Sequence, residues 1–186
     1  MRIIGGKYGS RKIKAKIPPN VRPTTDRVRE SMFNILNNLI DFDSIYVLDL
    51  FAGTGAFGFE SLSRGAAFAQ FIEINGRTVA LIKNIAQDLN IPKDDFSVIA
   101  GDAVKYLNNP HELTHKFNLV FADPPYDNDV YSRLMADLPD SGLLSEDSLI
   151  VVEYRTINKL PDSKNLNLIS DRIFGDTGFK IFEKVK

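Results

Sequence analysis

Asp123-Pro124-Pro125-Tyr126 is the run of residues most specific to one kind of chemistry in this chain. It follows the apolar stretch Phe117–Ala122, which reads as a strand, so the acid stands at a strand's carboxyl end. Two prolines fix φ and remove two N–H donors, leaving a rigid cluster of acceptors made by the Asp123 carboxylate and the Pro124 carbonyl. Such a cluster can hold both hydrogens of an exocyclic base amine, whose lone pair is otherwise delocalised into its ring. Held this way, the nitrogen is drawn toward tetrahedral geometry, its lone pair faces an electrophile, and developing positive charge is stabilised. Tyr126 can stack on the base and fix its plane. The plain alternative is a proline-terminated strand end with Tyr126 covering the core.

An electrophile needs a place to sit, and Asp49-Leu50-Phe51-Ala52-Gly53-Thr54-Gly55-Ala56-Phe57-Gly58 offers one between the strand Ile45–Leu50 and a helix. Its glycines permit a tight turn and the approach of a ligand to N–H groups at a helix N-terminus. Gly53, Gly55 and Gly58 also match the spacing of a dinucleotide loop, with Glu73 about 20 residues on. Asp49 argues against that reading, because a carboxylate beside a doubly negative pyrophosphate is repulsive. S-adenosylmethionine carries an ammonium and a positive sulfur and no phosphate, so Asp49 attracts it. Glu73, at the tip of the second strand, is placed to accept from two ribose hydroxyls, and Asp102, within Gly101-Asp102-Ala103 after the third strand, from an adenine amino group. The candidate cofactor site is therefore Asp49, Phe51, Gly53, Gly55, Glu73, Ile74, Asp102 and Ala103. Glycines serving only a tight turn are the bland reading.

The chain of 186 residues has no cysteine, which excludes disulfides, thiolate metal sites and cysteine nucleophiles. Methylation at pyrimidine C5 ordinarily uses a thiolate, so amino nitrogen is the acceptor left. His111 and His115 lie four apart but have no third ligand in view, and no metal is expected.

Short apolar runs position these residues: Ile45–Leu50, Ala67–Ile74, Phe96–Ala100, Phe117–Ala122 and Ser148–Tyr154 read as strands covered on both faces. The stretch Asn75–Leu89, with Val79, Ile82, Ala86 and Leu89 on one stripe, reads as a helix between the second and third. This alternation predicts an α/β fold with a doubly wound, mostly parallel sheet. Leu166–Phe174 and Gly178–Phe182, joined by Gly175-Asp176-Thr177, read as a closing antiparallel hairpin. Upstream, Val28, Met32, Ile35 and Leu39 predict one face of a helix, capped by Thr24, Thr25 or Asp26, with Arg27, Arg29 and Glu30 mainly elsewhere on its surface.

Net charge is −1, yet residues 1–29 hold nine Lys or Arg against Asp26 alone, so the rest of the chain is acidic. Ile3, Ile4, Ile13, Ile17 and Val21 interleave with those charges, which suggests an ordered basic β-hairpin over residues 1–21 that meets a polyanion through Lys7, Arg11, Lys12 and Lys14. A single catalytic domain over 22–186 follows the Pro18-Pro19 linker. With no apolar run of about 18 residues and no signal-like N-terminus, a soluble, cytoplasmic protein is expected.

Several segments together resemble the bacterial guanine-N2 methyltransferases of small-subunit (16S) ribosomal RNA. They are Met1-Arg2-Ile3-Ile4-Gly5-Gly6-Lys7, residues 22–30 from Arg22 to Glu30, Val47–Ala56, Ser63-Arg64-Gly65-Ala66, Asp123–Tyr126 and the Gly175-Asp176-Thr177 turn. The resemblance spans essentially the whole chain. It implies a seven-stranded methyltransferase sheet, a monomer, S-adenosylmethionine as methyl donor, and ribosomal RNA or a small-subunit assembly particle as partner. By the same likeness Asp123, Pro124, Pro125 and Tyr126 form the base site, and Arg22, Thr25 and Arg27 border substrate and cofactor. Adenine N6 is a second acceptor that Asp-Pro-Pro-Tyr serves equally well. A noncatalytic RNA-binding assembly factor would use the basic arm but leave the acidic crevice without purpose.

Overall fold

Strands that are apolar on both faces must be covered on both, and the chain supplies helices for each side. The computed structural model describes residues 2–11, 13, 25–110, 115–125, 128–158 and 160–185. In chain order these form α1 (Asp26–Leu36), β1 (Tyr46–Leu50), α2 (Ala56–Arg64), β2 (Phe68–Glu73), α3 (Gly76–Asp88), β3 (Phe96–Ala100), α4 (Ala103–Asn108), β4 (Phe117–Ala122), α5 (Asn128–Asp140), β5 (Leu144–Arg155), β6 (Leu166–Phe174) and β7 (Thr177–Lys184). One seven-stranded sheet has the order β3-β2-β1-β4-β5-β7-β6. The first five strands are parallel, and β7 lies antiparallel between β5 and β6. Chain direction across the sheet reverses between β1 and β4, and the crevice at such a switch point, outside the strands' carboxyl ends, is where ligands bind in open α/β sheets.

Side-chain alternation divides the core. Val47, Ala69, Phe71, Leu119 and Phe121 pack with α1, α2 and α3, whereas Leu48, Leu50, Ile72, Val120 and Ala122 pack with α4 and α5. Phe57 of α2 stacks on Phe121 with ring centroids 5.0 Å apart, which presses the start of α2 onto β4.

Three expectations need correction. The buried face of α1 is Arg29, Met32, Phe33 and Leu36, while Leu39 lies beyond the helix and is 41% exposed. The helix turns an arginine inward because Arg29 finds partners there: one guanidinium nitrogen pairs with Asp26 at 2.9 Å and donates to the Arg2 carbonyl, while the buried Nε is left without a hydrogen bond. Burial lowers the Arg29 pKa, and Asp26 opposes that shift. Strand β5 starts at Leu144, paired with Phe117, and bulges before Leu149 pairs with Leu119, which loops Ser145-Glu146-Asp147 off the ladder. The final hairpin turns on Gly175 (φ 64°) and Asp176, and Thr177 already pairs with Phe174, so β7 is longer than the apolar pattern.

The N-terminal segment is joined to α2 through backbone donors. Ile3 exchanges bonds with Ser10 and Arg11, forming a tight turn, and Ile3 and Ile13 are buried. The Ile4 and Gly5 N–H groups donate to the fully buried Glu60 carboxylate at 2.8 and 2.9 Å, and Tyr8 N–H donates to Ser63 Oγ at 2.9 Å. Lys12, Lys14, Ile17, Pro18, Pro19, Val21, Arg22, Thr24, His111 and Tyr126 lie outside the described residues. His115 stacks on Tyr46 at 4.2 Å, a packing contact near the start of β1, and no metal-holding group of His, Asp and Glu occurs among the described residues. No helix among the described residues is long and apolar enough to cross a membrane.

Candidate active site

A cleft of about 430 Å³ opens at the carboxyl ends of the parallel strands, where the switch point predicts one. Phe51 and Gly53 line it from the loop after β1, Ile72, Glu73 and Ile74 from β2 and its end, and Gly101, Asp102, Ala103 and Val104 from the β3–α4 junction. Asp123, Pro124 and Pro125 line it from the end of β4, and Val130 and Arg133 from α5. Residues expected to act on a donor and residues expected to act on an acceptor thus share one cavity.

The loop after β1 is held open by unusual backbone. Phe51, Gly53 and Gly55 have φ of 57°, 53° and 72°, and for Phe51 that left-handed conformation is a strained one. Gly58 is needed for packing, because a Cβ there would lie 2.3 Å from the Phe71 ring. Gly53 N–H donates to Glu73 Oε2 at 2.8 Å, and Asn75 N–H donates to Glu73 Oε1 at 2.8 Å. Glu73 therefore ties the first two strand-end loops together while lining the cleft, and each carboxylate oxygen keeps lone-pair capacity for a ligand hydroxyl. Asp102 is the N-cap of α4: its Oδ1 accepts from Val104 and Lys105 N–H groups at 2.9 and 3.0 Å.

Asp49 sits beneath the loop instead of on the cleft wall. It pairs with Phe71 on one side and Phe121 on the other, is 2% exposed, and its Oδ2 accepts from Gly58 N–H at 3.0 Å. Burial pushes its carboxyl up to about 8, the Gly58 bond opposes this, and the Glu73 charge adds to it. Gly55 likewise does not line the cleft, since its neighbours are the Phe59 and Phe71 rings.

Asp123 reaches the cavity wall. Its pKa stands well above the usual carboxylate range, first through burial, then through the charges of Glu153 and Asp49. Glu153 is the residue that sequence reasoning missed here: Ala122 pairs with Val152, so the next residue on β5 is brought beside Asp123. The signal was a single acid ending the apolar run Leu149–Val152. Arg133 and Val130 were also missed; they stand three apart on α5, Val130 at the border of the buried face and Arg133 turned away from buried Tyr131, Leu134 and Leu138.

The remaining site candidates fall elsewhere. Thr25 Oγ1 caps α1 by accepting from Val28 N–H at 3.4 Å, and neither Thr25 nor exposed Arg27 lines the cleft. Lys7 and Arg11 are exposed, with Lys7 Nζ 5.1 Å and the Arg11 guanidinium 5.4 Å from the Tyr8 ring centroid.

The family described as Conserved hypothetical protein 95 matches residues 1–183. The Ribosomal RNA small subunit methyltransferase D of Escherichia coli K12 is 37% identical over 190 residues, covering 99% of this chain and 90% of that protein. The Putative rRNA methyltransferase YlbH of Bacillus subtilis 168 is 33% identical over 185 residues, covering 99% of each. Among solved structures, the putative methyltransferase yhhF from Escherichia coli superposes with a TM-score of 0.87 at 33% identity, covering 100% of this chain and 98% of that one.

Proposed function

The chain belongs to the family of the ribosomal RNA small subunit methyltransferases D, described as Conserved hypothetical protein 95, and we propose that it moves a methyl group from S-adenosylmethionine to guanine N2 in small-subunit ribosomal RNA. One observation carries the reading: the Asp123 carboxylate and the Pro124-Pro125 turn share a single cavity with Gly53, Glu73 and Asp102. The cavity also fits a cationic donor. Burial first, then the Glu73 charge at Asp49 and the Glu153 and Asp49 charges at Asp123, hold both carboxyls at raised pKa, so an incoming positive charge relieves the repulsion within this acidic group.

S-adenosylmethionine supplies a methyl group on a cationic sulfur. Glu73 accepts from the ribose hydroxyls, Asp102 and the N–H groups beside it meet the adenine, and Gly53 with Phe51 shapes the wall next to the methionine part. Asp123 and the Pro124 carbonyl hold the two hydrogens of the guanine amine. Bound there, the donor would supply the methyl group and its sulfur would be the leaving group; Asp123, lining the cleft with a raised pKa, would hold the amine and take the N–H proton that must leave. Tyr126 covers the base. Lys7 and Arg11, with Lys12, Lys14, Arg22 and Arg27, meet the RNA backbone; Thr25 orients α1 behind the site by capping it.

Asp123→Ala should lower methyl transfer at least about 100-fold while leaving the affinity for S-adenosylhomocysteine within about threefold. The assay is incubation of ribosomal RNA or small-subunit particles with labelled donor, followed by mass analysis of the nucleosides. Wild-type enzyme should give N2-methylguanosine. An active D123A enzyme refutes the role of Asp123, and N6-methyladenosine as the product refutes the choice of acceptor.

A further inference from the structure

Among the described residues one cation lines the cleft, and it has no partner. Arg133, exposed on the second turn of α5, forms no ion pair or hydrogen bond with any described residue, although Asp129 and Asp137 stand one turn before and after it. Asp137 is engaged by α4, since Asn108 Nδ2 donates to its Oδ2 at 2.8 Å. Helices α4 and α5 each follow a parallel strand and run alongside one another, so one turn back from Asn108 and Asp137 lie Val104 and Arg133. Both line the cavity, as do Asp102 at the α4 N-terminus and Ile74, which is 72% exposed at the end of β2.

We propose that Arg133 is a cofactor-specificity residue whose guanidinium stacks on the adenine ring of the bound adenosyl cofactor, an assignment that rests on the donor reading above. Three groups could attract a cation here: a purine face, the methionine carboxylate and an RNA phosphate. Arg133 stands on α5, beside the α4 end of the cavity at Asp102–Val104, whereas the Gly53 turn expected to meet the methionine part follows β1. A phosphate at that end would face the Glu73 and Asp102 carboxylates, which repel it. A planar, weakly hydrated guanidinium favours aromatic faces, and Ile74, Val104 and Val130 supply the apolar surroundings in which a purine is sandwiched. Arg133 thus covers the adenine end of the cavity.

Calorimetry with S-adenosylhomocysteine and with 5′-methylthioadenosine, which keeps adenine, ribose and sulfur but lacks the amino-acid part, tests this on the full-length protein. Arg133→Ala should weaken both ligands by about fivefold, equivalent to about 1 kcal/mol, with RNA KM and melting temperature unchanged. A loss confined to S-adenosylhomocysteine would reassign Arg133 to the methionine carboxylate. Unchanged affinity for both ligands with a raised, less salt-dependent RNA KM would reassign it to phosphate. Either outcome, or no effect at all, overturns the proposal. A wild-type protein that binds neither adenosyl compound would refute the donor reading itself, so the two failures are distinguishable.

Discussion

Asparagine in place of Asp49 should make the empty protein more stable and the cofactor site weaker. Burial, with the Glu73 charge, moves the Asp49 carboxyl from about 3.8 to about 8 against the opposing Gly58 bond. Between those two values the folded chain holds a proton that the unfolded chain has released, so stability falls as pH rises, by about 1.4 kcal/mol per unit, and levels off above about 8. At pH 7 the accumulated cost has a ceiling of about 4 kcal/mol. Asparagine has nearly the same shape, keeps an acceptor for Gly58 N–H and carries no charge. Water entry and relaxation around an ionised carboxylate reduce the realised cost, so D49N should be about 1–3 kcal/mol more stable than wild type at pH 7. Urea midpoints measured from about pH 3 to 8 should show the difference shrinking toward zero at the acid end, below the unfolded value, where both states of the wild type are mostly protonated. D49N that is less stable at pH 7, or a difference that does not change with pH, would refute the account of Asp49 as a buried carboxyl held at raised pKa. The same variant should bind the cationic donor about tenfold or more weakly.

Gly58→Ala should destabilise the protein by about 2–4 kcal/mol, because the new Cβ meets the Phe71 ring at 2.3 Å at the point where α2 leaves the glycine loop; an unchanged urea midpoint would show that Phe71 moves aside freely. Replacing Lys7 and Arg11 together with Lys12 and Lys14 by alanine should weaken RNA binding and reduce the slope of log affinity against log salt by about one for each phosphate that is no longer neutralised. Fluorescence titration at several salt concentrations measures that slope, and a slope equal to the wild type's would remove the N-terminal segment from RNA recognition.

The parallel strands were legible as continuous apolar runs and the closing hairpin through its Gly175-Asp176 turn, and β3, β4 and β6 fall where the pattern puts them. The crevice was legible too, since an acid at or within two residues of the end of such a run, as at Glu73, Asp102 and Asp123, must lie at the carboxyl end of the sheet. Burial of a charged residue is different, because it depends on partners far away in sequence. Arg29 turns inward only because the Arg2 carbonyl, 27 residues earlier, comes to meet it. Asp49 shows how period-two alternation matters at a strand end. It lies on the same face as Val47, toward Phe71 and Phe121, so it supports the loop from below and not from the cleft side. Glu153 needed the β4–β5 register, and that register is shifted by the polar Ser145-Glu146-Asp147 bulge, which no hydrophobic pattern reveals.

Asp49, Glu73, Asp123 and Glu153 come from four neighbouring strands, β2-β1-β4-β5, so the sheet order itself gathers negative charge at the switch point. Apart from exposed Arg133, no arginine or lysine among the described residues lines that cavity. A site of this kind is costly to keep, because burial and like charge both hold protons on its carboxyls. A ligand bearing a positive sulfur and an ammonium lowers those pKa values as it enters, so on the proposed reading binding and activation of Asp123 are one electrostatic event. In the same proposal, methyl transfer would leave a neutral sulfur and a protonated Asp123, one charge fewer on each side of the attraction. The spent cofactor would then be held less tightly than the donor by the same residues, so the acids proposed to capture the donor would also favour release of its product.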